Sequence, residues 1–225
     1  MLRRIKIMEP EAALELREKF NDVPFEDGDE TAGSFVKNIK NNRQITGKND
    51  EGKQLLVAVS RAVLNNPAIR VYAYPKQICR IMTNIHGEGE FYGKHVDNTM
   101  IGSAVTGNVT RADLSFTLFL TEPDTYEGGE LAVDINGQQV LAKGNPGELI
   151  LYDSGLLHEV KPVTSGMRIS TVGWIQSCIS EPRTREALSE MDIAVSQLSK
   201  VENVSRELQD SFHKVYNAFL RIHMN

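Results

Sequence analysis

His95 and Asp97 stand two residues apart in FYGKHVDN. In an extended chain, residues i and i+2 point to the same face, so this one segment aims an imidazole and a carboxylate at a common point. His158 follows in LYDSGLLHEV, at the end of another strand-like run. Two imidazoles and one carboxylate, with the other coordination positions open, form the facial set that holds non-haem iron(II) in oxygen-using enzymes. The His-x-Asp pair alone is a weak signal. With five histidines in the chain, composition alone supplies roughly a quarter of such a match. Taken by itself, the pair is explained more simply by a surface strand histidine and a turn aspartate ahead of Asn98.

A second feature lies ten residues beyond His158, in GMRISTVGWIQS. Arg168 and Ser170 share strand parity there, with Trp174 further along the same face. An inward arginine is costly unless an anion meets it. Its planar fork grips a carboxylate through two hydrogen bonds, and a neighbouring hydroxyl can add another. Arg168 and Ser170 therefore offer a dicarboxylate site; an ion pair from Arg168 to Asp153 or Glu159 is the alternative. Asp134 and Asp153 read as turn and surface residues, and EGGE (127–130) as a tight turn without chemistry. Tyr92 reads as a pocket or core aromatic. Gly87, Gly89, Gly102 and Gly107 would let 98–110 move as a lid, and a plain surface loop is the equal alternative.

Something must hold these residues together. PEAALELREKF (10–20) opens with proline and has helical spacing, and KQLLVAVSRAVLNN (53–66) reads as an amphipathic helix stopped by Pro67. FEDGDETAG (25–33) is rich in turn residues, and 34–46 is too mixed to assign. After Pro67 come IRVYAY, QICRIMTNI, DLSFTLFL, GELAVDI, GELILYD and MRISTVGWIQ. These short β-branched and aromatic runs between turn clusters predict an antiparallel sandwich or barrel of at least six strands. From Glu181 the spacing is helical again, with a break expected near Val201–Asn203. Leu188, Met191, Val195 and Leu198 form one apolar stripe, and Leu208, Phe212, Val215 and Phe219 a second. Both stripes are expected to pack against the sheet.

Composition bounds the remainder. The chain has 225 residues, 40% hydrophobic and 24% charged, with a net charge of −5. That length and balance suit one large domain with a modest appendage. No basic face suggests nucleic acid, and Leu2-Arg3-Arg4 reads as a solvated terminus. No apolar stretch approaches membrane-spanning length, and none follows Arg3, Arg4 and Lys6 as in a signal peptide. A soluble cytoplasmic protein is the expectation. Cys79 and Cys178 form no CxxC pair, and two reduced buried thiols are expected rather than a disulfide.

With these residues in place, the chain resembles the PKHD-type hydroxylases, relatives of the prolyl 4-hydroxylase catalytic domain among the iron(II)/2-oxoglutarate dioxygenases. The resemblance runs through TAGSFVKNIKNNRQ (31–44), GKHVDN (93–98), RADLSFTLFLTEPDTYEGGEL (111–131), LYDSGLLHEVKPVTSGMR (151–168) and GWIQSCISEPRTREAL (173–188). It implies an α+β fold with a mainly β core. That core would be a double-stranded β-helix, or jelly roll, with N-terminal helices packed on it. Residues 1–180 would form the dioxygenase domain and 181–225 a C-terminal helical extension. The resemblance implies His95, Asp97 and His158 as iron(II) ligands and Arg168 as the partner of the far carboxylate of 2-oxoglutarate. Ser170 follows from parity alone. 2-Oxoglutarate and O2 are the implied cosubstrates and ascorbate the implied reductant. Succinate and CO2 would be released as a small-molecule or peptide substrate, such as a peptidyl or free amino-acid residue, is hydroxylated. Neither nucleic acid nor membrane is an expected partner, and a homodimer is left open.

The sequence departs from the family at two points. Phe25 stands where relatives often carry tryptophan, and His86, in TNIHGEGEFYG (83–93), falls where a tyrosine is expected. A cupin-like hydrolase or isomerase using zinc or manganese, and a non-enzymatic barrel with a vestigial triad, are the competing readings.

Overall fold

A computed structural model describes residues 1–28, 39–103 and 108–224. The β-branched and aromatic runs predicted as strands pair as antiparallel sheets. Pro75–His86 and Arg168–Ser177 form the longest ladder, running from Arg168 opposite His86 to Ser177 opposite Pro75. They lie within a seven-stranded sheet ordered Leu2–Lys6, Glu148–Asp153, Leu114–Phe119, Arg168–Ser177, Pro75–His86, Arg43–Ile45, Glu26–Asp27. A five-stranded sheet is ordered Gln138–Ala142, Leu131–Ile135, His158–Val160, Phe91–His95, Lys40–Asn41. Every described pairing in both sheets is antiparallel.

Alternation divides the strands between two cores. Leu114, Phe116 and Leu118 join Leu149, Leu151, Ile169 and Ile175 in one buried cluster. Helices α1 (Pro10–Asn21), α2 (Asp50–Asn65) and α3 (Pro67–Ala73) cover that cluster with Ala13, Phe20, Leu56, Val59, Val63 and Ile69. Phe119, of the opposite parity to Leu118, joins Ile150 and Tyr152 against Leu131 and Val133 of the five-stranded sheet. The functional cavity therefore opens on the sheet face turned away from the first three helices.

Several expectations need correcting. IRVYAY is not a strand. The Asn66 side chain accepts hydrogen bonds from the amides of Ala68 (2.9 Å) and Ile69 (3.3 Å). Pro67 occupies the first turn, and Ile69 and Ala73, four apart, are buried. Cap, proline and i,i+4 burial together outweigh the strand propensity of Val71 and Tyr72. Leu2–Lys6 is an edge strand on Glu148–Asp153 rather than a loose terminus, with Arg3 beside Glu186 and Glu190. Asp153 is no surface residue without a role, since it takes the buried Arg185 Nη2 at 2.6 Å. Asp134 keeps its turn role, accepting the Gly137 amide at 2.8 Å.

The C-terminal helices are α4 (Pro182–Leu198) and α5 (Arg206–His223). Leu188 and Val195 of α4 are buried with Ile179 and Tyr216, and Met191 packs beside them. The second stripe does not pack on the sheet. Leu208, Phe212, Val215 and Phe219 are each 47–48% exposed. The helix meets its neighbours along the Tyr216–Leu220 edge instead, where Tyr216 Oη lies 3.1 Å from Tyr74 Oη, and this rotates the stripe away. Cys79 and Cys178 are free and half-buried. No described helix is long and apolar enough to cross a membrane. Of the 98–110 segment, Met100–Ser103 pairs with Asn108–Arg111; residues 104–107, with Gly107, lie outside the described residues, as do 31–38 of the 31–44 block.

Candidate active site

The two histidines expected to act together are opposed residues on neighbouring strands, His158 facing His95. Their ring centroids are 4.3 Å apart. Asp97, two residues on, completes a group whose potential ligand atoms all lie within 4.8 Å of one another. Each imidazole is held the same way. His95 Nδ1 is 2.8 Å from the Gly93 carbonyl, and His158 Nδ1 is 2.9 Å from the Leu156 carbonyl. A carbonyl only accepts, so Nδ1 carries the proton in both rings and the Nε2 lone pair is bare. Those Nε2 atoms turn toward Asp97, at 3.7 Å from Oδ1 for His95 and 3.6 Å from Oδ2 for His158.

The surroundings keep this arrangement in place. Tyr92 stacks on His95 with centroids 3.8 Å apart, and Tyr152 meets His158 edge-on at 5.1 Å. Burial, and then the neighbouring His158, lower the His95 pKa to about 4, so its ring is neutral at physiological pH. Ser115 Oγ donates to Asp97 Oδ2 at 2.6 Å, and the Ser154 hydroxyl lies 2.8 Å behind it. Ser115 is a site residue that motif reading missed. The signal was present: Ser115 and Thr117 form a polar line of period two inside the otherwise apolar LSFTLF.

A cavity of about 310 Å³ adjoins these three residues, with Met82, Asn84, Thr117, Tyr152 and Trp174 on its wall. Its floor is the long ladder. Trp174 opposite Arg80 and Val172 opposite Met82 line it, and then Asn84. Ser170 opposite Asn84, and Arg168 opposite His86, continue the same face one layer deeper, beyond the cavity wall. The structure thus gathers His95, Asp97 and His158 closely. Arg168 and Ser170 come together behind them: Arg168 Nη1 donates to Ser170 Oγ at 2.7 Å.

Arg168 is 1% exposed, yet its Nε and Nη2 have no hydrogen-bond partner. The salt-bridge alternative does not hold, because Asp153 serves Arg185 and Glu159 serves Lys161 and Gln139. Burial lowers the Arg168 pKa from its ordinary value, while the nearby Tyr126 and Tyr152 partly restore it. Its guanidinium carbon sits 5.3 Å from the centre of the Phe119 ring, a cation–π contact. The EGGE turn also matters here. Gly129 has φ +66°, and a β-carbon added there would stand 3.0 Å from Arg168 Cδ and from Val163 Cγ2. Gly129 thereby leaves room for the arginine stem, a role that its reading as a chemically idle turn overlooked.

The 2OG-Fe(II) oxygenase superfamily matches residues 81–176, the span from the long ladder through both histidines. A PKHD-type hydroxylase of Alteromonas mediterranea is 37% identical over 207 residues, 92% of either chain. One from Caulobacter vibrioides is 37% identical over 222 residues, 98% of this chain and 97% of its own. A Pseudomonas putida prolyl-4-hydroxylase shares the fold with TM-score 0.54 at 19% identity, covering 78% of this chain and 92% of its own. A Trichoplax adhaerens prolyl hydroxylase, solved with a hypoxia inducible factor peptide fragment, shares it with TM-score 0.55 at 16% identity, covering 84% and 86%. Together with these relatives, the matched segment defines an iron(II)/2-oxoglutarate oxygenase. Within that superfamily, the chain belongs to the PKHD-type hydroxylases. It is an oxidoreductase that couples 2-oxoglutarate and O2, on Fe(II), to hydroxylation of a substrate.

The residues present suit those groups. Two bare imidazole nitrogens and a carboxylate are donors that iron(II) accepts. The unpartnered donors of Arg168 suit an incoming carboxylate.

Proposed function

We propose that His95, Asp97 and His158 hold the iron and that Arg168, with Ser170 locking its fork, anchors the far carboxylate of 2-oxoglutarate. The observation that carries this reading is the pinning of both Nδ1 atoms to backbone carbonyls, which leaves two Nε2 lone pairs converging beside Asp97. When bound, iron and 2-oxoglutarate supply the oxidising chemistry, with succinate and CO2 as coproducts of inserting one oxygen atom into a substrate C–H bond. The chain's own residues orient and shield. Ser115 holds the Asp97 carboxylate, Tyr92 and Tyr152 fix the two rings, and the walls of the cavity exclude water.

The two sheets are proposed to form a double-stranded β-helix. Residues 1–180 would be the dioxygenase domain and 181–225 a helical extension on it. The substrate is proposed to be a peptidyl or free amino-acid residue. The peptide held by the Trichoplax protein supports this. Adding Fe(II) and 2-oxoglutarate without oxygen should produce a weak visible charge-transfer band, and oxygen should then release succinate. The absence of both the band and succinate would refute the proposal.

A further inference from the structure

His86 is the buried titratable group that this chemistry leaves unused. It is 0% exposed, and neither ring nitrogen has a hydrogen-bond partner. It sits directly opposite Arg168 on the neighbouring strand. Opposed residues on antiparallel strands point to the same face with β-carbons about 4.5–5.5 Å apart. Two unpartnered nitrogens of Arg168 and two of His86 therefore share one buried location, one layer beyond the cavity wall.

Each buried polar atom without a partner destabilises the fold. A phenylalanine would fill the same strand position without that cost. Orphaned donors gathered on one face are instead what an absent acceptor requires. The groups around His86 set its form. Burial, then Arg168, Lys40 and Arg43, lower its pKa well below the ordinary histidine value, and Arg43 is itself forked onto Glu90 at 3.1 and 3.3 Å. The ring is thus neutral and offers one N–H. Arg168 offers the N–H groups of two more nitrogens, and a carboxylate has room for about four such bonds.

We propose that His86 completes the seat of the far 2-oxoglutarate carboxylate, donating a hydrogen bond beside the Arg168 fork. This rests on the Arg168 reading above. It makes His86 a cosubstrate-binding residue in its own right, and one that reads carboxylate geometry rather than adding charge.

The test is calorimetric titration of the Mn(II)-loaded full chain with 2-oxoglutarate and with pyruvate, a 2-oxo acid that lacks the far carboxylate. His86→Phe should raise the Kd for 2-oxoglutarate at least tenfold and leave that for pyruvate within twofold. His86→Gln, whose amide can still donate, should recover part of the loss. Fluorescence of Trp174, the single tryptophan of the chain, gives a second readout at the cavity wall. If His86→Phe does not fold, His86→Leu carries the same expectation. An unchanged 2-oxoglutarate affinity, or an equal loss for pyruvate, would overturn the inference. Wild type binding 2-oxoglutarate no more tightly than pyruvate would overturn the Arg168 reading and this inference with it.

Discussion

Ser115→Ala removes one oxygen atom and tests whether Asp97 is held for a metal. Ser115 is 2% exposed, and its hydroxyl donates to Asp97 Oδ2 at 2.6 Å, with the Ser154 hydroxyl 2.8 Å behind. A hydrogen bond to a charged group contributes about 1.5–3 kcal/mol. At about 1.4 kcal/mol per tenfold, that is one to two orders of magnitude in affinity. The same range, about 10–100-fold, is typical when the partner of a metal-binding carboxylate is lost. Titration of the metal-free protein with Mn(II), followed by calorimetry, should therefore show Ser115→Ala binding about 10–100-fold more weakly. Ser154→Ala acts one bond further away and should cost less. The double variant should cost little more than Ser115→Ala alone, because both act through one carboxylate. Mn(II) affinity within twofold of wild type, in a variant that still melts cooperatively, would show that Ser115 does not hold Asp97 for a metal.

Arg168→Met should raise the KM for 2-oxoglutarate on the order of 100-fold, through loss of charge-assisted hydrogen bonds. Without cosubstrate the same variant should melt at an equal or higher temperature, because it removes a buried charge with two unpaired donors; a large fall in Tm would contradict this. The metal-free fold should weaken in acid. His86 and His95 are held neutral, His95 down to about pH 4, while the unfolded chain binds both protons below about pH 6.5. The unfolded state then carries more protons, so stability falls as pH drops from about 6.5 toward 4, by up to about 1.4 kcal/mol per pH unit for each ring. Urea midpoints that stay flat from pH 7 to 5 would contradict that. On α5, Phe212→Ser should change unfolding free energy by less than about 0.5 kcal/mol, because the side chain is exposed. A loss of several kcal/mol in a urea melt would show that the stripe is covered after all.

What the sequence made legible was geometry of short range. Period two placed His95 with Asp97 and Arg168 with Ser170, and the structure keeps both pairs on common faces. Strand positions in DLSFTLFL, GELILYD and MRISTVGWIQ followed from β-branched and aromatic residues between turns. The rest depended on partners far along the chain. Whether Val71 and Tyr72 extend or coil was decided by the Asn66 cap, and the exposure of the α5 stripe by where Tyr74 meets Tyr216. Asp153 could not be matched to Arg185 without knowing where α4 lies. The importance of Gly129 came from Arg168 passing 39 residues later at 3.0 Å from where its β-carbon would stand.

Anaerobic crystals soaked in Fe(II), with diffraction collected at the iron absorption edge, would show whether these three residues hold the metal. One anomalous peak is expected within about 2.3 Å of His95 Nε2, His158 Nε2 and an Asp97 oxygen, a bonding distance for such ligands. It should vanish in His158→Ala. A peak elsewhere in the chain, or none between these three residues, would rule out iron binding by His95, Asp97 and His158.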